Sequence, residues 1–482
     1  MKREERLPLL ERMELLAVEE AENLPSKVHG FLALPNHQLA LRPEIVVVRG
    51  GRGAGKSALF QLLKELGPAV REFFSDDRVP DATWIDAFSQ QGRDHPEVMV
   101  LDALARTHSD SALRAFWLAH LVTRVVDNLE GISLPKGFRE RVAASPTQPE
   151  KWVDWAEANV GALAAVLDKV EQQLEGRYLF AAYDHLDRIG QFEREVRGRY
   201  VATLLSMWLS LSNRYRNLRA KIFLRDDLFD AAERSFPDAS KLRPRSVSLE
   251  WNVEDLYRVV VRHLLADGDG RKAEALAGKN LMSWLRGVSK LQLEKRGRFG
   301  WMPGPMHEPV QKAFAKALAG ELMGSGANKG FTYRWIPNRL QDAKTRIVPR
   351  SMLNLLGLAA TRAKQKPLDK GPRLLVPQDL VGALEEVSKR RAKEVAQEYR
   401  LVGRLNNLSG LLVLLGRDEV VRRLSQPIPG EAPGLSQDGE MVLEELVNLG
   451  VLSIRSNGKI DVPDIYRYGF RIKRKGGVAR PK

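Results

Sequence analysis

The spacing of apolar positions changes period several times along the chain, and each change marks a predicted element. Near the start, Leu9, Leu10, Met13, Leu15 and Leu16 recur at helical spacing until Pro25 and Pro35 end the pattern. A β-branched run, Glu44-Ile45-Val46-Val47-Val48-Arg49, then meets a group of glycines, and Ala58-Leu59-Phe60-Gln61-Leu62-Leu63-Lys64 follows with strong helix formers. That order predicts strand, loop, helix. Further strands are expected at 82–88, 178–183, 221–225 and 246–249, with helical stretches through Asn128 and a helix around 200–213. A helical insertion at about 135–175, carrying Pro146, Pro149, Trp152 and Trp155, precedes the strand at 178. Strands alternating with helices predict an α/β fold with a parallel sheet wrapped by helices over 41–250, after an N-terminal helical segment at 1–40.

From Val253 the period is mostly helical, and 251–375 reads as a helical lid with a Gly-rich, basic interruption between Arg286 and Gly304. Beyond it, 376–482 holds a long charged helix near 379–399, two more helices, a Pro/Gly loop at 426–434 and a helix at 439–449. Asn457-Gly458 then stands between two alternating runs, which is a strong hairpin signal. Helices followed by a hairpin predict a winged-helix domain with a basic tail.

Composition narrows the picture. A chain of 482 residues with 44% hydrophobic content is too long for one compact core. The absence of Cys excludes disulfides, thiol catalysis and Cys-ligated zinc. No apolar run is long enough to span a bilayer, and the mixed acids and bases of Met1-Lys-Arg-Glu-Glu-Arg do not read as a secretory leader, so a cytoplasmic location without membrane contact is expected. The formal charge of +15 and pI near 9.8 point to a polyanionic partner, or to solubility alone. Nine Lys or Arg against two Asp fall between Val451 and Lys482.

The chemistry is concentrated in Gly50-Gly51-Arg52-Gly53-Ala54-Gly55-Lys56-Ser57, which fits G-x-x-x-x-G-K-[ST] between a predicted strand and helix. Glycines let such a loop turn its N–H groups towards phosphate oxygens, and the following helix N-terminus adds to the field. Lys56 would reach the β- and γ-phosphates of ATP, and the Ser57 hydroxyl would bind Mg²⁺. A carboxylate at the tip of a neighbouring strand must complete the metal shell. Tyr178-Leu-Phe-Ala-Ala-Tyr-Asp184 supplies one, making Asp184 the Walker B candidate and the second metal-binding residue. His185 follows where many hydrolysing relatives place Glu, so Asp187 becomes the candidate for orienting water, with helix capping as its alternative role. Arg225 closes the strand at 221–225, where it could meet the γ-phosphate or a salt bridge with Asp226 or Asp227. Pro349 and Arg350 begin a helix in the lid that could deliver a guanidinium to the nucleotide. Arg243 and Arg245 are candidates for an arginine finger or for a solvated loop.

These residues together resemble the AAA+/STAND class of P-loop ATPases, in particular archaeal-type ATPases related to origin-recognition initiators. The resemblance rests on the Walker A loop, the Tyr-Asp184-His-Leu-Asp187 strand ending, Arg225 at the sensor position and Val-Pro349-Arg350, and spans roughly residues 30–475. It implies a nucleotide-driven switch, ATP held under the lid at Pro349, and assembly into oligomers. It also implies control of a separate effector protein, as in prokaryotic antiviral defence, with a DNA-binding ATPase of initiator or transposition-regulator type as the alternative and duplex DNA as its partner. His185 departs from the acidic residue expected there, which implies slow hydrolysis.

Overall fold

The structure is a computed structural model and describes residues 3–17, 27–89, 95–190, 193–236, 238–266, 280–366, 373–431 and 435–474. Expectations that fall on Pro25, on part of the loop at 426–434, and on Lys475, Arg480 and Lys482 of the tail lie outside the described residues. The chain divides into two compact units, Ala33–Glu250 and a second formed by Met1–Leu32 with Trp251–Lys482.

Ala33–Glu250 is an α/β unit. Its strands are β1 (Val47–Arg49), β2 (Ala82–Phe88), β3 (Tyr178–Tyr183), β4 (Leu218–Leu224) and β5 (Ser246–Ser248), in the order β2-β3-β4-β1-β5. All four pairings are parallel. The strand closing on Asp184 is therefore separated from the Walker A strand by β4. With the glycine loop following its β1, this is a P-loop NTPase sheet, and all strand C-termini lie along one edge, where α/β folds bind ligands. β3 is a nearly continuous apolar run and all but its first residue is buried, as a strand covered on both faces requires. The core on one side is aromatic: Trp117, Tyr183, Tyr200 and Trp208 are fully buried. Trp117 Nε1 donates to Tyr200 O at 3.0 Å and the Tyr200 hydroxyl to Leu101 O at 2.8 Å, so both polar tips are satisfied. The expected insertion is helical, with Lys136–Ala144, Val153–Ala158 and Val160–Leu174 preceding β3.

One residue in β4 runs against its sequence pattern. Lys221 is fully buried, with its ammonium donating to the carbonyls of Arg42 and Ile45 and lying 4.7 Å from the Phe180 ring centre. Burial holds its pKa well below that of a free lysine.

In the second unit, the helix Arg3–Glu14 packs on the helix Pro349–Lys364, where Glu14 accepts from Lys364 at 2.6 Å and from Thr361 at 2.9 Å. The basic interruption expected as part of a lid is an antiparallel hairpin, β6 (Leu293–Lys295) and β7 (Trp301–Pro303). Gly297 and Gly300 at positive φ let the chain reverse there. The C-terminal stretch contains the helices Pro377–Glu398, Arg417–Leu424 and Gly439–Asn448, then β9 (Ser453–Ile454) and β10 (Ile460–Asp461) joined around Asn457-Gly458 as expected. The short strands β8 (Leu412–Val413) and β11 (Lys473–Arg474) pair in parallel. Among the described residues, no helix is long and apolar enough to cross a membrane.

Arg404 holds this C-terminal stretch together. It is 1% exposed and donates to both carboxylate oxygens of Glu431 as well as to Leu424 O and Ser436 O. Arg404→Met should destabilise the protein by about 3–5 kcal/mol, because it strands a buried carboxylate and two carbonyls at once. Chemical denaturation checks this; a loss below about 1 kcal/mol would mean the network is replaced by water.

Candidate functional site

The glycine loop leaves β1 at the C-terminal edge of the sheet and enters the helix Lys56–Leu66. Gly53 and Gly55 have φ of 83° and 101°, a region that L side chains avoid, so the loop's shape depends on them. Gly55 is the N-cap of the helix and, having no side chain, makes no capping bond, which leaves the first-turn N–H groups directed at the loop's concave side. Lys56 Nζ donates to Gly50 O at 2.8 Å and Gly51 O at 3.1 Å, placing its charge over the same concavity.

Asp184 ends β3 beside this loop and is 3% exposed. Its carboxylate hydrogen-bonds the Ser57 side chain, and its Oδ2 is buried with no hydrogen-bond partner. Burial raises its pKa, opposed by His185, the Ser57 bond and Lys56. The sequence-predicted metal pair Ser57 and Asp184 is therefore brought into direct contact. A buried carboxylate oxygen lacking a partner, beside a hydroxyl, is a donor set suited to a hard divalent cation. Among the described residues, no group of three or more His, Cys, Asp or Glu side chains gathers to hold a metal by protein ligands alone.

His185 sits in the left-handed region at φ 59° and ψ 22°, with Nδ1 2.8 Å from Ser89 O. A carbonyl only accepts, so Nδ1 carries the proton in that contact. Nε2 lies 3.8 Å from Asp184 Oδ2. Asp187 lies in a short 3₁₀ turn, Leu186–Arg188, and is 3.7 Å from the Arg225 guanidinium. Arg225 closes β4 and also donates to Asp227 at 3.0 and 2.9 Å. The structure thus unites Asp184, Asp187 and Arg225 along the strand tips that follow the Walker loop. Arg243 is engaged by Glu233 and Asp230 and lies over Phe229, while Arg245 donates to Asn213 at 3.1 Å. Pro349 and Arg350 belong to the other unit, where Pro349 is the first residue of its helix and Arg350 lies 3.4 Å from Glu394.

Sequence reasoning missed a polar cluster at the end of β2. Asp86 accepts from Ser89 at 2.7 Å and Lys64 at 3.0 Å, and meets His95 at 3.4 Å. His95 in turn lies 3.2 Å from His120 on the buried face of the helix Asp110–Asn128. Asp86 is held at a pKa of about 2: burial pushes it up, but the bonds from His95, Ser89 and Lys64 outweigh that. Since Ser89 O also receives His185, this cluster braces the residue after Asp184. Its only trace in the sequence is polar residues within apolar periodicity, which carries no partner information.

No family model and no curated protein matches the chain. Solved structures similar to it include ORC2 of Aeropyrum pernix in ADPNP and ADP complexes, at 12% identity over 88% of this chain and 84% of that one, with a TM-score of 0.29. The Walker-type ATPase paby2304 of Pyrococcus abyssi is similar at 13% identity over 95% of this chain and 99% of that one, with a TM-score of 0.38. Cdc6p of Pyrobaculum aerophilum is similar at 10% identity over 88% and 84%, with a TM-score of 0.28. At such scores the P-loop assignment rests on the strand order and the glycine loop themselves.

Burial also depresses His120 to a pKa of about 3 from 6.5, helped by the neighbouring charge of His95. The unfolded chain therefore takes up a proton near pH 6.5 that the folded chain refuses until about pH 3, so this contribution to stability is present above 6.5 and lost as pH falls. From about pH 6.5 to about pH 5.5 the loss should be about 1 kcal/mol. Denaturation of the parent and of His120→Asn at both pH values checks it, the variant being expected to lose about that much less; equal losses would assign the acid sensitivity elsewhere.

Proposed function

We propose that the chain is an ATP-binding, ATP-hydrolysing P-loop switch. The observation that carries this reading is the contact between Ser57 of the glycine loop and the buried carboxylate of Asp184, whose second oxygen lacks a partner. Bound Mg²⁺ would be held by Ser57 and Asp184 and would neutralise charge on the β- and γ-phosphates. The loop N–H groups and Lys56 bind the phosphates. Asp187 orients the attacking water and Arg225 steadies Asp187 or meets the γ-phosphate. With His185 in place of an acid, turnover is slow.

The switch acts through oligomers on a separate effector protein, as in prokaryotic defence. Support comes from the helix Gly439–Asn448, which precedes the β9–β10 hairpin of what we read as a winged helix. Its outer face carries Glu440, Glu444 and Met441, the last 57% exposed, and the helix contains no Lys or Arg. Such a face suits a protein partner better than a phosphate backbone. The alternative, a DNA-binding initiator-like ATPase, draws its support from the net charge of +15.

Lys56→Ala should weaken ATP binding by about tenfold to a hundredfold, the cost of losing a charge-assisted bond to phosphate. Isothermal calorimetry checks it, and unchanged affinity would remove the loop from the nucleotide site. Asp184→Asn should keep much of the nucleotide affinity while Mg²⁺-dependent phosphate release falls by about a hundredfold or more. Normal release would move the metal role elsewhere. Asp187→Asn should slow release with affinity nearly intact, and a parallel loss of both would make Asp187 a structural residue.

A further inference from the structure

The sequence locates excess positive charge at the C-terminus, but the structure spends much of it internally. Arg455 and Arg474 both pair with Asp461, which is fully buried, and Arg467 pairs with Asp464, itself 1% exposed at its side chain and also bound by Arg339 at 2.6 Å. Of the six described cations from Val451 onward, Lys459, Arg471 and Lys473 remain on exposed positions. The helix in front of the hairpin carries Glu440 and Glu444 on its outer face, the first paired with Arg417 at 2.6 Å. A different element presents cations outward. Between Arg286 and Arg298 stand Arg286, Lys290, Lys295, Arg296 and Arg298 against one acid, Glu294. Arg286, Lys290, Lys295 and Arg298 are exposed. Arg296 has Glu294 only at 3.4 Å, with side-chain exposures of 39% and 68%, a weak and screened pair.

The backbone beneath these cations is fixed. Arg262 is fully buried, and its guanidinium donates to the carbonyls of Val28 at 2.8 Å, Phe31 at 2.9 Å, Phe299 at 2.9 Å and Trp301 at 2.6 Å. His29 Nε2 lies 2.8 Å from Arg298 O. Phe299 and Met302 are each 6% exposed, anchoring the hairpin's apolar side. The turn closes through Arg296 N to Gly300 O and Phe299 N to Arg296 O, both 2.9 Å. A rigid, apolar-backed hairpin with cations on its outer side loses little entropy when those cations meet a partner. Exposed arginine forks and lysines at this density match a repeating anion.

We propose that the hairpin β6–β7 and its approach from Arg286 form a sequence-independent contact for the phosphate backbone of duplex DNA, in place of the C-terminal hairpin β9–β10. This contact stands independently of the nucleotide reading, because none of its residues belongs to the unit Ala33–Glu250.

The test uses the full-length protein and a labelled mixed-sequence DNA duplex, with affinity followed by anisotropy across salt concentrations. In Lys290→Gln/Lys295→Gln/Arg296→Gln, log K against log salt should flatten by about 2.7, about 0.9 for each lost phosphate contact. Lys459→Gln/Arg471→Gln/Lys473→Gln should keep the parent slope. Unchanged ATP affinity and thermal midpoint establish that the first variant is folded; should it unfold, Lys295→Gln alone carries the test with a flattening of about 0.9. The proposal is overturned if the parent shows no salt-dependent duplex binding, if the hairpin variant keeps the parent slope, or if the C-terminal variant flattens it instead. Equal affinity for poly-glutamate, lost in the same hairpin variant, would mark an acidic protein surface and equally overturn it.

Discussion

The nucleotide-binding unit turns on one buried carboxylate. Asp184 is carried to the sheet's edge by an apolar strand paired on both sides, and its backbone N–H is tied to Phe88 O at 2.8 Å. That register fixes the backbone from which the buried side chain projects. An ionised carboxylate in such a place costs free energy unless partners compensate it, and His185, Ser57 and Lys56 offset only part of the cost of burial. The remainder is a demand for positive charge at one fixed point beside the phosphate loop. Stability has been given up there, which is how binding sites commonly differ from cores.

The surrounding geometry distributes roles that a single acidic residue fills elsewhere. His185 cannot contribute negative charge, and its ring is oriented by Ser89 O, which belongs to the Asp86 cluster. Asp187, one short turn further on, is 39% exposed at its side chain and faces Arg225.

How much of this was legible depends on whether the signal was local. The glycine loop, β2 and β3 were legible because a phosphate loop and a buried parallel strand each have a contiguous signature. The contact of Ser57 with Asp184 followed from chemistry, since a metal shell needs both. Lys221 was not legible: a charged residue inside a strand reads as solvent-facing, and only the carbonyls of Arg42 and Ile45, brought up by the chain before β1, make its burial tolerable. The Asp86, His95 and His120 cluster was hidden for the same reason, its members coming from β2, a loop and a distant helix. The hairpin at 293–303 has strands too short for periodicity to register.

Charge is the case where sequence counting and structure diverge most. A count treats every Lys and Arg as available, yet a guanidinium locked against a buried aspartate has no charge left to offer a ligand. Asp461 receives Arg455 and Arg474, and Asp464 receives Arg467 together with Arg339, so two acids absorb three cations of the basic C-terminal segment and one from outside it. Buried pairs of this kind fix a fold's geometry more than they stabilise it. The β6–β7 hairpin is held in another way: the buried guanidinium of Arg262 donates to four backbone carbonyls. Lys290 and Lys295 stand exposed around it. Where a basic protein meets its polyanion is decided by which cations the fold does not need.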